Sequence, residues 1–305
     1  MCGIVGLFLK DPALEPQLGR LTAEMLDVMA DRGPDSTGFA VYGAAAPESI
    51  KLTLRGPDGA DLRALAAALS QAAGTEVPVT LRGDHAVLTV PAAREAELRK
   101  LLATLLPGTR VVGAGKRMEL YKGVGMPAAV SARFGLTGIT GTHAIGHTRM
   151  ATESAVTTAG AHPFSTGTDQ CLVHNGSLSN HNDVRRRLQR EGLEFETAND
   201  TEVAAGYLGW RMAQGAGLGE ALDAALSDLD GFYTFVVGTE NGFGVLRDPV
   251  ACKPAVMAET DRYVAFGTEY RALVDLPGIE DAHIFEPEPA RVYFWERPRA
   301  EERAA

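Results

Sequence analysis

Apolar and polar positions alternate along the chain in short strand-like runs, broken by a few stripes of helical period. Residues 3–9, "GIVGLFL", are rich in strand formers and read as a strand. After a Pro-punctuated polar stretch, Leu21, Met25, Leu26, Val28 and Met29 recur at helical spacing. That helix runs into "DRGPDSTG" (31–38), a cluster of turn residues, and a strand is expected over 39–43. Later runs at 118–125, 142–152, 170–178, 231–239, 242–248, 262–269 and 290–296 read as strands or strand-to-loop passages. Helices are expected at 127–134, 179–191, 200–213 and 217–228. Many strands with helices in separate groups predict an α+β layered fold.

One stretch has its own pattern. A strand at 49–54, a helix at 61–73, a hairpin over 77–90 turning at Gly83-Asp84, a helix at 93–106 and a strand at 109–114 give the order βαββαβ. This is the ferredoxin-like signature. It predicts a subdomain inserted at 47–115 into a discontinuous main domain of 2–46 and 116–298, with 299–305 as a tail.

Composition narrows the function. The 305 residues carry a net charge of −10 with scattered Lys and Arg, which argues against a nucleic-acid face. No apolar run is long enough for a membrane helix, and the start lacks a secretory signal, so a soluble cytoplasmic protein is expected. Three cysteines in no metal-like spacing suggest neither a disulfide framework nor a metal site.

The position of one cysteine is unusual. Cys2 follows the initiator methionine, and loss of Met1 would leave it with both a thiol and a free α-amine. A thiol attacks as thiolate and needs a base. An α-amine of pKa about 7.7–8.0 can accept that proton near neutral pH. Taken alone, the placement reads more readily as an incidental cysteine than as a nucleophile. Further candidates lie downstream. Arg149, in "GHTRMAT", can clamp a carboxylate bidentately. Asn175-Gly176, in "HNGSL", offers an amide and a backbone N–H to a developing oxyanion. Asp200, in "NDTEVAA", sits at or near a helix N-cap, where it either caps the helix or holds a ligand's ammonium. His147 and His162 read as structural, Cys171 as core and Cys252 as structural or incidental. Asp248 reads as the organiser of the "RDPVACKP" turn.

In order, "CGIVG", "RGPDS", "GHTRMAT", "HNGSL", "NDTEVAA", "LDGFYTFVV", "RDPVACKP" and "GTEYRAL" resemble the class II glutamine amidotransferase domain of the N-terminal-nucleophile hydrolases. The resemblance covers the whole chain except the insert, and it implies a four-layer α/β/β/α sandwich. It also implies that Cys2 attacks the glutamine carboxamide to form a γ-glutamyl thioester, with Asn175 and Gly176 as oxyanion hole. Arg149 would take the substrate carboxylate and Asp200 its ammonium. Thr152 and His174 would line the pocket, and Arg32 and Gly33 would shape the loop around the nucleophile.

No ammonia-using module follows in the sequence, so a separate synthase subunit and a hetero-oligomer are expected. The spacing between "RGPDS" and "GHTR", with "MELYKGVGMPAAVSARFGL", is similar to stand-alone subunits of glutamate synthase-like and N-methylglutamate synthase systems. That likeness implies no cofactor in this chain and flavin or iron–sulfur groups in a partner subunit. Two other readings stand beside it at this point: a non-hydrolytic structural or regulatory subunit, and an amidase acting on another amide.

Overall fold

The computed structural model of the chain describes residues 2–46, 48–151 and 155–298. The chain opens with β1 (Gly3–Leu9), α1 (Leu18–Val28) and β2 (Ser36–Tyr42). It continues through β3 (Ser49–Arg55), α2 (Leu62–Ala73), β4 (Val79–Arg82), β5 (His85–Pro91), α3 (Glu95–Leu105) and β6 (Arg110–Gly115). Then follow β7 (Met118–Val124), α4 (Pro127–Phe134), β8 (His143–Arg149), β9 (Phe164–Ser165) and β10 (Cys171–Leu178). Three helices come next: α5 (His181–Arg190), α6 (Asp200–Ala213) and α7 (Leu218–Asp228). The chain closes with β11 (Gly231–Gly238), β12 (Gly242–Arg247), β13 (Val256–Glu259), β14 (Tyr263–Gly267), β15 (His283–Phe285) and β16 (Val292–Glu296).

Two antiparallel sheets form the centre, in the orders β15-β13-β14-β1-β8-β2-β7 and β16-β12-β11-β10-β9. Strand β1 shows why they stack. Its odd positions Val5, Leu7 and Leu9 enter a core shared with α1 and α4, while Ile4 and Phe8 enter the core between the two sheets. A strand apolar on both faces must be covered on both, which is why all seven residues are buried. The outer face of the second sheet packs on α5, α6 and α7 through Leu172, Val203, Leu208 and Leu222. The result is the α/β/β/α sandwich.

Residues 49–115 form a third antiparallel sheet in the order β4-β5-β3-β6, covered by α2 and α3 over its own apolar core. Pro47 and the tail 299–305, which bound the predicted segments, lie outside the described residues. The insert is fastened at its exit by Asp169. That carboxylate accepts the backbone N–H groups of Lys116, Arg117 and Met118 at 2.7, 2.9 and 2.9 Å. Asp169→Ala would orphan three donors at a buried junction, and a loss of roughly 3 kcal/mol is expected, read from the denaturant midpoint.

The helices at 127–134 and 200–213 and the Gly83-Asp84 turn fall where the periodicity predicts them. Strand β2 starts at Ser36, inside the stretch read as a polar turn, because Ser36 and Thr37 pair with both β8 and β7. The short strands β9, β13 and β15 carry too few residues for a visible alternation.

Candidate active site

Three chain-distant segments meet where β1 begins. Gly3 pairs with Thr148, so Cys2 enters the sheet beside the end of β8, at Arg149. On the other flank of β8, Ser36 pairs with Arg149, which brings the 32–35 turn to the same end. Two side chains converge on the Cys2 carbonyl: Arg32 donates from Nε at 3.1 Å, and Asn175 donates from Nδ2 at 3.3 Å. The Cys2 thiol is partly exposed, 4.0 Å from the Met150 carbonyl.

The turn before β2 is built for contact. A Cβ on Gly33 would lie 2.3 Å from the Thr148 carbonyl carbon and 2.4 Å from the Arg149 nitrogen, so only glycine lets the turn rest against β8. Asp35 accepts Ala151 N–H at 2.7 Å, and its own N–H donates to the Arg149 carbonyl at 3.1 Å. Arg32 also pairs with Glu269, which Arg271 contacts at 2.6 Å. Burial pushes the Glu269 carboxyl up, but Arg32 and Arg271 outweigh it and hold the group below its ordinary range.

Strand β10 sends alternate side chains to opposite faces. Asn175 turns inward to Cys2, and His174 turns outward to α6. Gly176 has φ +141°, and a Cβ there would meet the Phe232 carbonyl at 1.9 Å. No side chain fits at that position in the ladder with β11.

Asp200 is the first residue of α6. The cap itself is Asn199, whose side chain accepts Thr201 N–H at 2.8 Å, so the alternative of Asp200 as N-cap is corrected. Relieved of capping, the Asp200 carboxylate accepts Leu178 N–H at 2.9 Å and lies 3.7 Å from His174 Nδ1. The Arg149 guanidinium lies against the 157–160 segment, where a Cβ on Gly160 would come 3.3 Å from its Nη1.

Cys2, Arg32, Gly33, Arg149 and Asn175 therefore gather at one sheet end, with Gly176 next in the strand. His174 and Asp200 sit one layer outward, at the start of α6. Thr152 lies outside the described residues. Sequence reading passed over Glu269 and Thr201, although both lie inside quoted motifs. It also took His147 and His162 as structural. Both are buried, and their rings stack at 4.1 Å beside this cluster. Asp248 does organise its turn, accepting Tyr233, Val250 and Ala251 N–H at 3.0, 2.7 and 3.2 Å.

Comparison with known proteins places the chain in a family. Residues 147–275 match the model of a glutamine amidotransferase domain. The chain is 63% identical to the glutamine amidotransferase-like protein GlxB of Rhizobium meliloti, over 98% of this chain and 100% of that one. It is 33% identical to a putative glutamine amidotransferase of Methanothermobacter thermautotrophicus, over 96% and 99%. Among solved structures, the allosteric regulatory enzyme of purine biosynthesis superposes with a TM-score of 0.63 at 19% identity, over 97% of this chain and 47% of that one. The B. subtilis glutamine phosphoribosylpyrophosphate amidotransferase does so with a TM-score of 0.61 at 19% identity and the same coverage. At that identity the likeness concerns the fold, and the chain spans about half the length of either structure.

Proposed function

Since the chain belongs to the class II glutamine amidotransferases, we propose that it hydrolyses L-glutamine through Cys2 and passes the ammonia to a separate synthase subunit. The observation that carries this reading is the convergence of Arg32 and Asn175 on the Cys2 carbonyl. Once Met1 is lost, it would hold Cys2 in place where an N-terminus otherwise frays.

With Met1 removed, the α-amine takes the thiol proton and Cys2 Sγ bonds to the carboxamide carbon. The Asn175 amide nitrogen carries a second hydrogen, and with the Gly176 N–H it meets the oxyanion. On collapse the C–N bond breaks, the α-ammonium returns its proton to the leaving nitrogen, and ammonia departs. The amine then draws a proton from water, whose oxygen attacks the thioester carbon; the C–S bond breaks, the ammonium returns its proton to the Cys2 thiolate, and glutamate leaves. Arg149 and Asp200 supply the fixed cation and fixed anion that recognise the two charges of an α-amino acid. His174 stands beside Asp200 at that end. Arg32, Gly33 and Glu269 hold the turn.

The acceptor side rests on the layout of the sequence. Its likeness to stand-alone subunits of glutamate synthase-like and N-methylglutamate synthase systems supports a partner that carries the synthase chemistry, with any flavin or iron–sulfur group held there. Diazo-oxo-norleucine, a glutamine-mimicking electrophile, is expected to add once to the purified chain, on Cys2. Intact mass should show Met1 absent. An unlabelled thiol or a retained methionine would overturn the hydrolytic reading and favour a non-hydrolytic subunit.

A further inference from the structure

Beside Asp200 lies a closed circuit of buried side chains. Thr201 Oγ1, fully buried, touches His174 Nδ1 at 3.0 Å, His162 Nε2 at 3.2 Å and Asp200 Oδ1 at 3.5 Å. His147 Nε2 lies 3.2 Å from the His174 carbonyl, and its ring stacks on His162. The remaining ring nitrogens, His147 Nδ1, His162 Nδ1 and His174 Nε2, are buried with no hydrogen-bond partner among the described residues.

These contacts select one arrangement of protons. A carbonyl only accepts, so His147 carries its hydrogen on Nε2. The Thr201 hydroxyl has one proton and three acceptor candidates. If it donated to His162, that ring's own hydrogen would sit on Nδ1, a buried donor with no partner among the described residues. If it donated to His174, an equally orphaned N–H would appear at Nε2. Buried orphan donors are the rarer and costlier defect. Both imidazoles therefore donate to Thr201 Oγ1, and the hydroxyl proton turns to Asp200 Oδ1. The His174–Asp200 distance agrees independently, since a bare nitrogen lone pair facing a carboxylate at 3.7 Å would be repelled, whereas an N–H is attracted. Burial keeps all three rings neutral, which suits a circuit with one hydrogen per ring.

We infer that Thr201 is a positioning residue for substrate recognition: two imidazole donors, His174 and His162, aim its hydroxyl at Asp200 and set the carboxylate that meets the substrate ammonium. Leu178 N–H grips one Asp200 oxygen and Thr201 O–H the other, so the plane of the carboxylate is fixed from both sides. His162 is itself held from behind. The buried Lys122 ammonium donates to the carbonyls of Ala159 and Ala161 at 3.3 and 3.1 Å, pinning the segment that carries the ring. The inference rests on the proposed glutamine reaction for its consequence, but its proton arrangement stands apart from any activity.

Two measurements test it. In the full chain labelled with ¹⁵N-histidine, His174 is expected as the Nδ1–H tautomer and His147 and His162 as Nε2–H tautomers. An Nε2–H His174 or an Nδ1–H His162 overturns the circuit. In kinetics, Thr201→Val should raise the KM for glutamine about tenfold and leave kcat within about twofold, and Thr201→Ser should restore it. Glutaramate, which is glutamine without its α-ammonium, should react equally well with wild type and Thr201→Val. An unchanged KM, or an equal loss on both amides, refutes the positioning role. A wild-type chain with the expected tautomers but no glutamine hydrolysis would instead overturn the proposed function, and the substrate role of Thr201 with it.

Discussion

Replacing Cys2 by alanine is expected to lower glutamine hydrolysis by about 10⁴-fold or more while leaving the fold intact. Removing a covalent nucleophile leaves only what binding and oxyanion stabilisation can supply. The fold should survive because Arg32 and Asn175 hold the carbonyl of residue 2 rather than its side chain. The thermal midpoint of Cys2→Ala should therefore match that of the wild type. A companion variant separates thiol from amine. A lysine inserted between Met1 and Cys2 blocks methionine removal, keeping the thiol but denying it a free α-amine. If the amine is the base, this variant should be as inactive as Cys2→Ala, although its thiol still reacts with a general alkylating agent. Activity within tenfold of wild type in either variant would refute the N-terminal-nucleophile mechanism.

The second large effect concerns stability in mild acid. Burial holds His143 and His147 down to about 3 and His162 well below its ordinary value. It also lowers His174, against the opposing pull of Asp200. An unfolded histidine titrates near 6.5. Below that pH the unfolded chain takes up protons that the folded chain refuses, so stability falls as pH drops from 6.5 toward 3. Each fully titrating group contributes about 1.4 kcal/mol per pH unit. His143 and His147 together should cost about 2.5 kcal/mol between pH 6 and pH 5, and His162 adds to the loss in the same direction. Carboxylates with lowered values, such as Glu269, act only below their ordinary range and leave this window to the histidines. Urea midpoints at pH 7, 6 and 5 provide the check, and a flat profile would mean that these rings are protonated in the fold. For a domain of ordinary stability, a loss of that size is a large share of the total.

The legibility of these features in the sequence differed with their physical origin. The helix at 127–134 was visible because Pro127 opens it, Gly135 follows it and its apolar positions keep period. The first strand was visible because it is apolar on both faces. The start of β2 was hidden because Ser36 and Thr37 are polar, and what buries them is pairing on both edges rather than any alternation. Cys2, Arg149, Asn175, Gly176 and Asp200 were each singled out by residue type within a motif, and the motif order carried the family. Thr201 was not, and His162 was read as structural. A threonine at the second position of a helix, or a histidine before a proline, has no pattern of its own, and each acquires meaning only through a contact 39 residues away.

By itself the sequence pointed to the layered class, an insert, a candidate nucleophile and residue types able to bind both ends of an amino acid. Those follow from local period and from chemistry that a side chain carries wherever it sits. Only the tertiary structure decided which groups touch. It brought Arg32 and Asn175 to the Cys2 carbonyl, assigned the cap of α6 to Asn199 and so released Asp200, and enclosed three histidines where solvent cannot reach them. Such arrangements arise from long-range strand pairing and burial, which join residues that no short stretch of sequence contains together.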